Sequence, residues 1–314
     1  MPVDPQVRAL LGALAEAGTQ PVENLTVAEA RLASKDFLLL QGDPEQVAWV
    51  EDRVVPGPTA DVPVRLYYPA GDGPFPCLVY FHGGGWVTLD IDVCDPTTRA
   101  LANDTGCVVV SVDYRKAPEH RFPAAVDDAW ASTAWVTENA AELNIDPARI
   151  GVFGDSSGGN LAAVTALRAR DVGGPALACQ ILIHPPTDHN TDKRSYLDNA
   201  EGYLLQRHSM RWFYGHYLND PSEGANPWVS PLRAQDLSGL PRALVVTAQY
   251  DPLRDDGRLY AERLAAAGTP TKHNDYSGVT HAFYLMWGVL DASRQLHREI
   301  AAEVRDVLRV GSPA

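Results

Sequence analysis

The sequence predicts an α/β fold with a mostly parallel sheet and helices on both faces, and three observations carry that prediction. Short β-rich runs alternate along the chain with helix-period patterns, the order expected of parallel strands joined by crossover helices. The inner runs are almost continuously apolar, as strands buried on both faces must be. The 314 residues, 45% of them apolar, fit one large domain with a substantial core.

Taken in order, the first forty residues hold two helical patterns. Val7, Leu10, Leu11 and Leu14 form one apolar face, and Ala28, Leu32 and Phe37 form a weaker second. From Val50 the texture becomes β-rich, with runs at 62–68, 77–81, 108–112, 150–153, 179–183, 243–247 and 272–276. Helical patterns fall between and after them, at 97–103, 123–143, 160–170, 256–267 and about 292–308. The connection from Ile183 to Ala243 is roughly sixty residues long, where a crossover needs about a dozen. Its excess is rich in large side chains, among them Tyr203, Leu204, Leu205, Met210, Trp212, Phe213, Tyr214 and Tyr217. Such a segment packs as an extra core helix, covers the ligand-binding edge of the sheet, or does both.

Lys plus Arg number 26 against 40 Asp plus Glu, a formal charge of −14. That balance tells against nucleic acid and against anionic membrane surfaces as partners, and favours neutral or cationic small molecules. The N-terminus has no basic segment leading into an apolar core, and no run approaches the roughly 18 apolar residues of a membrane span. Cys77, Cys94, Cys107 and Cys179 lack CxxC spacing and read as buried free thiols. A reduced, cytoplasmic protein is the expectation.

The strongest chemical signal is Gly154-Asp155-Ser156-Ser157-Gly158-Gly159, between a β-rich run and a helical one. A Gly-x-Ser-x-Gly motif in that context marks a tight turn that lifts a Ser hydroxyl clear of the sheet. The turn ends at a helix N-terminus, whose unpaired N–H groups favour negative charge. A phosphate-binding glycine loop is the competing reading; it lacks the following Lys and the Gly-x-Gly opening. Ser156 is thus the candidate nucleophile, ahead of Ser157, which lacks flanking glycines. At the end of another strand stands His82-Gly83-Gly84-Gly85-Trp86, whose glycines allow backbone N–H groups to approach a substrate oxygen. Gly83, Gly84 and the backbone of Ser157 are the candidate oxyanion donors, with His82 as a structural hydrogen-bonder.

A Ser hydroxyl needs a base, and the base needs an orienting group. In the chain order Ser, acid, His, the candidates are Asp251 and His281, each just beyond a strand end. Asp255 and Asp256 fit the first turn of the next helix. His273 lies inside a strand, and His297 is expected on a surface helix. His184, Asp188, His189 and Asp192 match no metal-ligand spacing and read as a solvated or partly buried loop. Arg115, Glu119 and His120 read as a scaffold for the loops.

Together these segments resemble the hormone-sensitive-lipase-like family of α/β-hydrolase esterases over about residues 4–308. The resemblance rests on HGGGW at 82–86, YRKAPEHRFPAAVDD at 114–128, GDSSGGN at 154–160, SPL at 230–232, DPLRDDG at 251–257 and the GxxHAF segment at 278–283. It implies an α/β-hydrolase core (46–185 and 231–314) under a helical cap formed by residues 1–45 and an insertion at 186–230. It also implies a Ser156–Asp251–His281 triad, hydrolysis of short-chain carboxylic esters, no cofactor or metal, and frequent homodimers. Trp86, Tyr203, Leu205, Trp212 and Phe283 are the expected substrate contacts. Three departures from the family pattern stand out. Ser157 replaces Ala, which leaves the needed backbone N–H in place. Ala282 replaces Gly, acceptable if its φ is negative. His184-Pro185-Pro186 stands where Tyr-Pro is common. A ligand-binding protein on the same scaffold is the rival reading, disfavoured because all three triad members are present; amide hydrolysis and acyl transfer would use the same site.

Overall fold

The computed structural model describes residues 1–310. Its strands are β1 (Trp49–Val55), β2 (Val62–Tyr68), β3 (Phe75–Phe81), β4 (Val108–Val112), β5 (Ile145–Asp155), β6 (Cys179–Ile183), β7 (Arg242–Tyr250) and β8 (Thr271–Thr280). They form one sheet in the order β1-β2-β4-β3-β5-β6-β7-β8. β2 is antiparallel to both neighbours, and every pairing from β4 to β8 is parallel. Every β-rich run expected from the sequence lies in this sheet. β1 was not foreseen: it is an edge strand carrying Glu51, Asp52 and Arg53, so it never presents an apolar run.

Successive side chains of β3 divide between two cores. Cys77, Val79 and Phe81 pack toward α4 (Ala124–Glu138), α5 (Ser157–Val172) and α8 (Arg254–Ala266). Leu78 and Tyr80 pack toward α1 (Pro5–Glu16), α3 (Asp95–Thr105) and α9 (Asp291–Leu308). In α9 the spacing of Leu296, Ile300, Val304 and Leu308 puts one apolar stripe on the sheet, each side chain fully buried and contributing about 2 kcal/mol. His297 belongs to that inner side, contrary to the surface position expected for it. Its ring stacks on Tyr284 at 4.8 Å and its Nε2 lies 3.1 Å from the Tyr284 carbonyl. Burial pushes His297 down to about 4, so it is neutral. The four cysteines are buried and unpaired. No helix is long and apolar enough to cross a membrane among the described residues.

Two segments lie over the C-terminal edge of the sheet. The N-terminal one contains α2 (Val27–Ala33), started by a capping box between Thr26 and Glu29, and a 3-10 turn at Ser34–Leu39. The other follows β6 and contains α6 (Arg194–Asp198) and α7 (Arg207–Tyr217). Ser209 Oγ of α7 donates to the Glu23 carboxylate at 2.8 Å, joining the two segments. Arg31 of α2 donates to the carbonyls of Val87 and Ala117, both at 2.9 Å, and grips the Glu119 carboxylate. These bonds fix the N-terminal segment to the loops after β3 and β4.

Candidate active site

β5 ends at Asp155, α5 begins at Ser157, and Ser156 between them has φ 53° and ψ −123°. This strained conformation turns the chain sharply and projects the hydroxyl. The flanking glycines answer a steric demand. A Cβ on Gly154 would strike the Gly158 carbonyl, and one on Gly158 would strike the Phe81 carbonyl. The Ser156 N–H donates to the Ile183 carbonyl at 2.8 Å, which fixes the turn to the end of β6.

Ser156 Oγ lies 2.9 Å from His281 Nε2, and His281 Nδ1 lies 2.7 Å from Asp251 Oδ2. Asp251 is fully buried, and its other oxygen accepts the Leu253 N–H at 2.8 Å. An ionised carboxylate only accepts hydrogen bonds, so Nδ1 carries the proton and Nε2 offers its lone pair to the Ser156 hydroxyl. Ser157 is wholly buried and reaches no histidine.

The glycine loop differs from expectation by one residue. The Gly83 N–H already donates to Asp155 Oδ1 at 3.2 Å, which removes Gly83 from the oxyanion donors. Gly84 and Gly85 line the cavity beside Ser156, and their N–H groups have no acceptor among the described residues. Both have positive φ, 101° and 59°, and a side chain would strike Thr88 at Gly84 or Phe213 at Gly85. The Ser157 N–H, in the first turn of α5, has no carbonyl one turn back to bond. Gly84, Gly85 and Ser157 are therefore the available donors.

Asp155 was missed as more than an elbow residue, although it lies inside the motif. Tyr80 Oη donates to it at 2.7 Å, beside the Gly83 bond. Burial pushes its carboxyl up to about 6, against the opposing pull of Tyr80, His281 and Gly83. His82 braces the same loop. Its Nδ1 lies 2.7 Å from the Gly83 carbonyl, its ring stacks on Tyr114 at 4.4 Å, and burial takes it down to about 3. Tyr114 Oη donates to the His82 carbonyl at 2.8 Å, and Arg115 is forked onto the buried Asp128.

His184 does not lie in a solvated loop. It is fully buried, with its ring centroid 4.4 Å from that of His281, and burial together with His281 keeps it neutral. Asp188 is buried as well, between Lys193 at 2.9 Å and Arg233 at 2.6 Å. No group of three potential metal ligands occurs among the described residues. Ala282 has φ 63°, so the negative value expected of an Ala there is not met.

A cavity of about 220 Å³ opens at Ser156 and His281. Of the five expected contacts, Trp86 and Leu205 line it. Tyr203 packs on Tyr250 at 5.0 Å, Trp212 on Phe213 and His216, and Phe283 is buried between Tyr276 and His184. Met210 and Phe213 take the inner face of α7, three residues apart, which leaves Trp212 on the outer side. Val22, Leu25 and Phe37 of the N-terminal segment complete much of the wall. A wider pocket of about 540 Å³, lined by Arg121, His189 and Arg211, reaches none of these groups.

A family model of the α/β hydrolase fold matches residues 78–285. Carboxylesterase NlhH of Mycobacterium tuberculosis (strain ATCC 25618 / H37Rv) is 42% identical over 290 residues, 90% of this chain and 88% of that protein. An arylesterase of Saccharolobus solfataricus is 37% identical over 311 residues, 98% of this chain and 100% of that protein. A hyperthermophilic esterase structure from the archaeon Pyrobaculum calidifontis has a TM-score of 0.93 at 40% identity, covering 98% of this chain and 99% of that one. With this geometry and these relatives, the chain belongs to the α/β-hydrolase fold family, in its hormone-sensitive-lipase-like carboxylesterase branch.

Proposed function

We propose that the protein hydrolyses short- to medium-chain carboxylic esters through an acyl-enzyme formed on Ser156. One observation carries this reading: the Ser156–His281–Asp251 chain of hydrogen bonds, 2.9 and 2.7 Å, at the mouth of an apolar cavity. Ser156 Oγ attacks the ester carbonyl while His281 Nε2 takes its proton. The carbonyl oxygen becomes an oxyanion held by the N–H groups of Gly84, Gly85 and Ser157. As the tetrahedral intermediate collapses, His281 returns the proton to the leaving alcohol. Water then attacks the acyl-enzyme by the same route, with His281 as base, and the acid is released. Asp251 fixes the imidazole tautomer and stabilises the imidazolium.

The cavity wall supports the substrate class. Among the described residues, Asp155 and His281 are its only titratable side chains, so no described cation awaits an anionic substrate. A volume of about 220 Å³ lies below the roughly 300 Å³ at which pockets for drug-sized ligands begin, which suits short acyl groups. Initial rates on p-nitrophenyl esters from acetate to palmitate, with Ser156→Ala in parallel, test the reading. It predicts a maximum at short chains and loss of turnover in the variant. Equal slow rates for both proteins would instead favour a binding protein.

A further inference from the structure

The insertion does more than wall the cavity. Ser195 of α6 is fully buried, and its hydroxyl donates to the Pro252 carbonyl at 2.6 Å while accepting the Asp255 N–H at 3.2 Å. Its own N–H donates to Asp255 Oδ2 at 2.9 Å. Asn199, one turn on and also buried, donates from Nδ2 to the Asp251 carbonyl at 3.2 Å and to the Ser195 carbonyl at 3.1 Å. Lys193, just before α6, lies 2.9 Å from Asp256 Oδ1, and Thr187 Oγ1 donates to the Asp256 carbonyl at 2.8 Å. The turn from Asp251 into α8 closes on itself through the Arg254 N–H on the Asp251 carbonyl at 3.1 Å, and side chains of another segment brace it further by taking the Pro252 carbonyl and the Asp255 N–H.

We infer that Ser195 and Asn199 are positioning residues for the triad acid: they set the backbone from Asp251 to Asp255, and so the reach of the Asp251 carboxylate to His281. This inference rests on the proposed triad. Asp251 Oδ2 meets His281 at 2.7 Å and Oδ1 meets the Leu253 N–H at 2.8 Å, so the carboxylate is fixed within its own turn. It is misplaced if the turn moves, and the side chains that brace the turn from outside come from residues 187–199, with Ser195 of α6 and Asn199 just after it nearest Asp251. The part of the insertion around α6 is thus a fixed member of the catalytic scaffold, whereas α7 faces the substrate.

The test compares Ser195→Ala, Asn199→Asp, the double variant and the hydroxyl-retaining Ser195→Thr with wild type. Arg194→Ala serves as control, since Arg194 is exposed on the same helix. Each is assayed for kcat, KM and the pH profile of kcat/KM on a short p-nitrophenyl ester, with melting temperature as the folding check. Misplacement of a catalytic group by about 1 Å costs on the order of 10² in rate, so the double variant should lose about that factor in kcat with KM little changed. The acid limb of its profile should move to lower pH, because an imidazolium with a weakened carboxylate partner gives up its proton more readily. Ser195→Thr should restore most of the rate and the profile. If folded Ser195→Ala and Asn199→Asp keep kcat and the wild-type profile, the inference is overturned. A lower active fraction with an unshifted profile overturns it too, as that is stability alone. Should the double variant fail to fold, the single variants decide. If Ser156→Ala is as active as wild type, the triad reading itself fails and takes this inference with it.

Discussion

The two sides of the cavity are held in different ways. On the sheet edge, the triad acid and the carboxylate behind the glycine loop each sit in a chain of polar contacts fixed to the backbone: Asp251 between His281 and Leu253, Asp155 between Tyr80 and Gly83. On the opposite side, the wall from Val22 to Phe37 and from Leu204 to Phe213 is mainly apolar packing. A hydrogen-bonded group has one acceptable position, while an apolar wall can be recut with modest loss. Changes on the first side should therefore appear in kcat, and changes on the second in KM and chain-length preference.

The largest effects test the polar side. His281→Ala should lower kcat by about 10⁶, on the scale seen when a triad is dismantled. Asp251→Asn should cost on the order of 10⁴ by leaving the imidazole in the wrong tautomer, with KM almost unchanged. Steady-state kinetics measure both, and a variant that instead raised KM at constant kcat would break the distinction between the two sides.

The wall comes next. Phe213→Ala should shift the preferred acyl chain to greater length while costing about 3 kcal/mol of stability. Trp212→Ala, on the outer side of the same helix, should leave chain preference alone. Ester series and denaturant unfolding separate the two. Equal changes in chain preference would mean that the wall is not the face of α7 described above.

Asp155→Asn sharpens the comparison through pH. The folded carboxyl stands at about 6 against an ordinary 3.8, so between these values the native state binds more protons than the unfolded state. Stability from this group is thus present below pH 4 and lost as pH rises through 6. Relative to wild type, the uncharged variant should gain about 3 kcal/mol between pH 4 and pH 7, from roughly 1.4 kcal/mol per unit. A flat difference across that range would show that Asp155 carries no such penalty. The smallest effect belongs to Ala282→Gly. Relief of a left-handed Ala should raise stability by about 1 kcal/mol, seen as a higher melting temperature with kcat retained.

The same contrast explains what could be read from sequence. Gly154 and Gly158 answer a collision that only one residue type avoids, so the elbow was plain, and strand ends marked Asp251 and His281. The oxyanion donors were misread by one residue because three consecutive glycines look alike until Asp155 is seen to engage Gly83. On the wall, any large apolar side chain satisfies the pattern. Whether Trp212 or Phe213 faces the cavity depends on the rotation of α7, which neighbouring segments set. His184 closes an apolar strand and His297 stands among the charged residues of α9, and in neither place does the local sequence say which way the ring turns, so the burial of both was not legible.

A nucleophilic Ser156 activated by His281 should be trapped by a reagent selective for activated serines. The most direct measurement is intact-protein and peptide mass spectrometry after reaction with diethyl p-nitrophenyl phosphate, an ester that phosphorylates activated serines. A single adduct per chain is expected, on Ser156, formed rapidly by wild type and scarcely at all by His281→Ala. An adduct on Ser157 or elsewhere, or equally rapid labelling of His281→Ala, would contradict it.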